Sequence, residues 1–212
     1  GGTLVLANAN TLDGGVTVSA GTLGIGDVLA LGSGLLTLSG GGVQATDAAH
    51  IIANDVRLAS SSIVNGANGL TFTGDFTSAG NYGLTTNLTG GAVLELAGNV
   101  YLSDSAAASR SLSFFGSGDR IISGIIANNA GDNAIASNLV LNGGGTLTLS
   151  GTNTYTGRTL TAGAGYLVVS QDTNLGATPA VPTVDSLIFA LNGHLRATSS
   201  FTLDANRGIG IG

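Results

Sequence analysis

The sequence has no cysteine, no lysine, two prolines, a single glutamate (Glu95) and only 5% aromatic residues. Without cysteine there are no disulfide staples and no thiolate metal site. A secreted chain that passes an oxidising compartment gains from that absence. Two prolines (Pro179, Pro182) and glycines without a period of three exclude collagen. No apolar run reaches the ~18 residues of a membrane-spanning helix. Charged residues are 8% of the chain, against a usual share of about 25%. Yet 43% is hydrophobic and mean hydropathy is +0.41, which excludes disorder. All six basic residues are arginine, against twelve acids, for a net charge of −6. That sign repels phosphate backbones, and no basic stripe is present, so nucleic acid is excluded as a partner. The charge reads as plain solubility.

What the chain has is glycine, 36 of 212 residues, more than twice the usual share of about 7%. It also has short strands. Helix signals are nearly absent: no apolar stripe at i, i+3, i+4 lasts three turns, and Glu and Gln are scarce. Strand signals recur at Thr3–Leu6, Leu35–Leu38, Leu70–Thr73, Val93–Leu96, Ser111–Phe114, Leu139–Leu141 and Thr146–Leu149. Most are bounded by Gly, Asn, Asp or Ser, which turn the chain.

The pieces recur in order. Gly1-Gly2-Thr3-Leu4 returns as Gly144-Gly145-Thr146-Leu147, and Asn10-Thr11 as Asn153-Thr154, both 143 residues on. Gly21-Thr22-Leu23 returns as Gly165-Tyr166-Leu167 and Leu31-Gly32 as Leu175-Gly176, at 144. Val43-Gln44-Ala45-Thr46 returns as Leu195-Arg196-Ala197-Thr198, and Ala53-Asn54-Asp55 as Ala205-Asn206-Arg207, at 152. The step of eight falls near Ala177–Pro182, where proline ends a strand and a loop bulges out. One long unit (about 1–143) is followed by about half of the next (144–212). Insertions that spare the flanking pattern are typical of solenoids.

Strands of three to five residues make no stable free-standing sheet. A coil of such strands stacked on copies of itself does, with aliphatic residues inward and Gly and Asn at corners. An antiparallel sandwich is the competing architecture. Against it, Asn-Gly at 65, 68, 142 and 192 does not recur at hairpin spacing. The fold class is therefore all-β, a right-handed parallel β-helix, as a single β-solenoid segment over 1–212. Coils of roughly 20–25 residues give about nine or ten of them, a rod of roughly 45 Å at ~4.8 Å per coil. The chain begins on Gly1-Gly2-Thr3 and stops on Gly210-Ile211-Gly212, inside a pattern, and is read as a fragment of a larger one. Its open strand edges invite neighbouring repeats or end-to-end and lateral self-association.

Asn10–Leu23 (NTLDGGVTVSAGTL) and Gly145–Gly157 (GTLTLSGTNTYTG) resemble the autotransporter-associated β-strand repeat, also called the passenger-associated transport repeat. Ile122–Ile126 and Arg196–Gly208 share its look. Leu12 stands where the family usually has Tyr, one extra residue lies between Gly157 and Gly165, and residues 59–120 match poorly. The resemblance implies a β-helical passenger of a Gram-negative bacterium, at the cell surface or released. It carries no catalytic residues over.

No catalytic, cofactor-binding or metal-ligating residue emerges. The twelve acids are scattered singly. Asp104, Asp119, Asp132 and Glu95 are the ones that a β-helix brings to one face if it is a polysaccharide-cleaving enzyme; otherwise they are solvated corners. His50 and His194 read as surface residues. Gly24-Ile25-Gly26-Asp27 and Gly116-Ser117-Gly118-Asp119 echo calcium-binding nonapeptides, but those sites need tandem copies. Thr-x-Thr pairs at 71, 146, 152, 154 and 159 fit strand propensity. Tyr82, Tyr101, Tyr155 and Tyr166 are candidates for a sugar-stacking strip. The expected role is a non-catalytic stalk or filament segment. Its alternatives are an adhesin that binds glycan or host protein through loops near 103–110 or 177–183, and a carbohydrate-cleaving enzyme.

Overall fold

A computed structural model describes residues 1–131 and 134–212; Asp132 lies outside the described residues. The chain winds as a parallel β-solenoid of nine turns. β1 (Thr3–Leu6) and β2 (Val16–Val18) make the first coil, β3 (Thr22–Ile25) and β4 (Leu36–Ser39) the second. Then come β5 (Gly42–Ala45), β6 (His50–Ile52) and β7 (Val56–Ser60); β8 (Ser62–Gly66), β9 (Leu70–Phe72) and β10 (Phe76–Ser78); and β11 (Gly83–Leu88), β12 (Val93–Leu96) and β13 (Val100–Tyr101). They are followed by β14 (Ser111–Phe115), β15 (Asp119–Ile122) and β16 (Ile126–Ala127); β17 (Asn138–Asn142) and β18 (Thr146–Leu149); and β19 (Thr159–Ala162) and β20 (Tyr166–Val169). β21 (Thr183–Ala190), β22 (His194–Ala197) and β23 (Arg207–Ile211) complete it.

Three parallel sheets result. The ten-stranded one runs β1-β3-β5-β8-β11-β14-β17-β19-β21-β23; the seven-stranded one β6-β9-β12-β15-β18-β20-β22; the six-stranded one β2-β4-β7-β10-β13-β16. In a three-stranded coil the chain visits them in that order. No described strand pair is antiparallel, so the Asn-Gly dipeptides make no hairpins. Asn65-Gly66, Asn142-Gly143 and Asn192-Gly193 instead turn the chain from the ten-stranded to the seven-stranded sheet.

Alternation within each strand builds the core. In the six-stranded sheet Val16, Leu36, Val56, Phe76, Val100 and Ile126 stack in register. In the seven-stranded sheet Ile52, Phe72, Leu96, Ile122 and Leu149 do. All but Val16 are buried, each worth roughly 1.5–3 kcal/mol. A narrow core filled by such columns needs few aromatics.

Where a sheet has no strand, asparagine side chains take over the backbone pairing. Asn10 Nδ2 donates to the Ala30 carbonyl (2.9 Å), and its counterpart Asn153 Nδ2 to the Asn174 carbonyl (2.6 Å). Asn54 Nδ2 donates to the Gly32 and Gly34 carbonyls. Asn10 and Asn153 thus make the same kind of bond, but the two sequence segments around them lie on different sheets. Thr3-Leu4 sits in β1 of the ten-stranded sheet and Thr146-Leu147 in β18 of the seven-stranded one. The unit therefore spans six turns and one further face.

Coil length varies. Paired residues Thr3 and Thr22 are 19 apart, and most coils take 20–22. Three are longer: Leu84 to Phe114 takes 30, Phe114 to Leu141 27, and Thr161 to Phe189 28. The extra residues lie between β13 and β14, between β16 and β17, and between β20 and β21. All precede the ten-stranded sheet, so they project from one edge of the solenoid. The last contains Ala177–Pro182, at the place where the repeat spacing steps by eight.

Candidate binding groove

The sequence-predicted site residues are dispersed. Asp104 lies in the first long insertion, held by Arg57 (3.0 Å) and Arg110 (2.9 Å). Glu95 and Asp119 occupy neighbouring strands of the seven-stranded sheet, but Asp119 pairs with Val93, two residues away from Glu95. Glu95 accepts a hydrogen bond from the Ser123 hydroxyl (2.6 Å) and Asp119 from the Thr146 N–H (2.8 Å). Asp104 is thus apart from the other two. Among the described residues no three His, Asp or Glu side chains cluster in a way that fits a metal ion. Asp27 of the first nonapeptide-like segment instead accepts the Leu29 N–H.

His50 meets Asp47 (2.9 Å), and that hydrogen bond holds the Asp47 carboxyl below its ordinary range. His194 stacks on Tyr166 with ring centroids 4.7 Å apart, and Arg196 lies over the same ring. The four tyrosines form no strip. Tyr166 is on the outer seven-stranded face and Tyr101 on the six-stranded one. Tyr82 packs partly against the core and Tyr155 is fully buried. Tyr155 meets the Thr159 hydroxyl at 2.5 Å. Burial raises the Tyr155 phenol to about 12, against that bond and the Arg207 charge. Thr159 and Thr161 also face inward, so the Thr-x-Thr pairs do not share one outer face.

The insertions, by contrast, build something. A groove of about 510 Å³ lies between the edge formed by Ser109, Ala136 and Asn138 and that formed by Ala177–Ala180. Thr156, Gly157 and Arg158, on a short coil between two long ones, form its floor. Arg207 lines one end but is occupied. Its guanidinium donates to the Asp172 carboxylate (2.8 Å and 3.2 Å) and to the carbonyls of Leu175 and Gly176. Burial alone would raise the Asp172 carboxyl; the Arg207 and Asp204 hydrogen bonds outweigh it and hold the group below its ordinary range. Two smaller hollows beside the six-stranded sheet contain Asp104 and, further along, Asp55, Asp75 and Tyr101. There Asp55 accepts the Asp75 N–H and Asp75 the Asn99 N–H, a ladder between successive coils.

Sequence reasoning marked the 103–110 and 177–183 segments but missed Arg158. The available signal was that the resemblance places Gly157-Arg158 just after the Asn-Thr-Tyr-Thr corner.

Residues 1–25 and 139–169 match the passenger-associated-transport-repeat family. The similarity falls on two separate segments. The first covers β1 to β3 and the second β17 to β20, including the equivalent Asn10 and Asn153 bonds. Ile122–Ile126 and Arg196–Gly208 fall outside the matched segments. No curated protein and no solved structure matches the chain. Passenger repeats and a β-solenoid fit an autotransporter passenger segment, a secreted or surface-exposed class of chain. No helix among the described residues is long and apolar enough to cross a membrane.

Proposed function

We propose that this segment is a structural, non-catalytic section of the stalk or filament of a large autotransporter-like protein on the surface of a Gram-negative bacterium. The observation that carries the reading is the ladder of ten strands, each hydrogen-bonded to the next over nine turns. Stacking at ~4.8 Å per turn makes this about 43 Å of rod. The inward columns resist bending because each coil is packed on both sides. The acids singled out in the sequence serve the coils as well: Glu95, Asp104 and Asp119 each hold a serine hydroxyl, two arginines or a neighbouring strand's N–H. In this reading the exposed edges of β1 and β23 pair with the next coils of the same chain or with a second copy.

Cryo-electron microscopy of the native full-length protein tests it. A continuous rod with the ~4.8 Å axial spacing that shortens in proportion when whole coils of this segment are deleted supports the stalk. A compact globular particle, or polysaccharide cleavage lost on substituting Asp104 or Asp119, overturns it.

A further inference from the structure

We propose that the groove over Arg158 binds an oligosaccharide that carries a carboxylate, which goes beyond the stalk reading and does not depend on it. Charge pairing singles out Arg158. The chain has six arginines. Arg57 and Arg110 share Asp104, Arg207 is paired with Asp172, Arg196 lies over Tyr166, and Arg120 is buried on the carbonyls of Phe115 and Gly116. The Arg158 side chain alone has no hydrogen-bond, ion-pair or aromatic partner among the described residues. It lies in the groove of about 510 Å³. Arg158 is exposed, and with no protein carboxylate on it the planar fork of its guanidinium is free for a ligand carboxylate, a local attraction set against the net charge of −6.

The backbone beneath Arg158 is held in place. The Arg158 N–H donates to Asn138 Oδ1 (2.8 Å), and its carbonyl accepts from the Leu139 N–H (3.0 Å). The base of the side chain is thus fixed to the neighbouring coil on both sides. Gly157 packs against the Ser137 carbonyl with no room for a Cβ, so the floor is rigid as well.

Besides Arg158 the groove is lined by Ser109, Asn138, Thr156, Thr178 and the buried Ser186, whose hydroxyls and amide already bond within the protein and keep a spare lone pair or N–H, and by the apolar ring of Pro179. Its volume falls in the ~300–1,000 Å³ range of small-ligand sites. Hydroxyl and amide groups with one cation suit a polyhydroxylated acid. An extended peptide would need a free strand edge or an apolar pocket; β17 and β19, beside the floor, are paired on both sides. A nucleic acid would need several cations.

The test is titration of the intact chain with oligogalacturonate and hyaluronan oligosaccharides, with dextran oligosaccharides as the neutral comparison and heparin oligosaccharides as the sulfated one. The expected result is binding of a carboxylated series that weakens with salt, no dextran binding, and a loss of about tenfold or more in Arg158→Gln. Arg57→Gln, on another face, leaves the affinity unchanged. An unchanged melting curve for Arg158→Gln separates a lost contact from a lost fold. Absence of binding by both carboxylated series overturns the proposal. So does equal binding of dextran, a preference for heparin alone, or full affinity in Arg158→Gln.

Discussion

Gly124 stands on Gly98: a Cβ built on Gly124 would run into the Gly98 carbonyl oxygen. The same holds down a column. Gly151 lies against the Gly124 carbonyl, Gly98 against that of Gly74, and Gly74 against Asn54. None has a positive φ, so their use is close approach of successive backbones at one corner, not a left-handed turn. Coils can stack at strand spacing there only if the corner has no side chain.

Gly124→Ala is therefore expected to destabilise the chain by about 3 kcal/mol or more, since neither backbone can yield without breaking a ladder. Gly14→Ala, where nothing lies within 4 Å of the added carbon, stays within about 0.5 kcal/mol of the parent. Urea unfolding of both variants measures the difference. Equal stability would show that the corner is plastic.

The solenoid was legible because its evidence is local: short alternating runs, turn residues between them, and a recurrence in fixed order. The glycine column was not. Gly74, Gly98, Gly124 and Gly151 recur at 24, 26 and 27 residues, a spacing blurred by insertions elsewhere in each coil. The 143-residue repeat also concealed its geometry. Equivalent residues such as Thr3 and Thr146 lie on different sheets, because the insertions decide how far the chain has turned. Arg158 escaped notice for a related reason: its isolation exists only once the other five arginines have found partners.

Arg120 and Tyr155 oppose each other in alkali. Arg120 takes a place in a leucine column, paired with Leu94 and Leu147. It is 1% exposed, and its Nε and Nη1 have no partner among the described residues. Burial lowers its pKa from 12.5 to about 10, against the pull of Asp119. The cost of that buried charge is present below pH 10 and is lifted as pH rises from 10 towards 12.5. Tyr155 is raised from 10.0 to about 12. Its contribution is present below pH 10 and is lost as pH rises towards 12. Each amounts to about 3 kcal/mol over two pH units, so in the parent they nearly cancel. Tyr155→Phe is expected to gain stability between pH 10 and 12 relative to the parent, and Arg120→Met to lose it. At pH 7 Arg120→Met melts higher, because an apolar column replaces a charge without a counter-ion. Parallel pH profiles for all three proteins would refute the assignment.

The Asp172–Arg207 pair is the opposite case, a buried guanidinium whose partners are in place. Its side chains are 3% (Arg207) and 17% (Asp172) exposed. Arg207→Met leaves the Asp172 charge and the carbonyls of Leu175 and Gly176 without it, and is expected to cost about 3–5 kcal/mol. The Asp172 carboxyl lies below its ordinary 3.8. Its contribution is therefore present above that pH and is lost as pH falls through the folded value. Asp172→Asn should remove this part of the acid transition. Amide hydrogen exchange across β21 to β23, followed from pH 5 to pH 3, reads both effects.

Stacking with fixed register makes a further demand: whole coils can be removed and half coils cannot. Phe76 pairs with Val56 and Thr77 with Arg57. Deleting residues 57–76 therefore joins Val56 to Thr77 with the strand register intact. Val43 then faces Thr86 where it faced Val64, and Ile52 faces Leu96 where it faced Phe72. Gly98 takes the place of Gly74 above Asn54. The shortened chain loses one inter-coil interface, so in the nearest-neighbour description of solenoids it keeps its β-sheet circular dichroism and melts cooperatively at a lower temperature. Deleting only residues 57–66 removes about half a coil and sets the Leu70 and Phe76 columns against the wrong sheets. That variant is expected to be unfolded or aggregated. If both deletions fold equally well, the sheets are not held by the columns assigned to them.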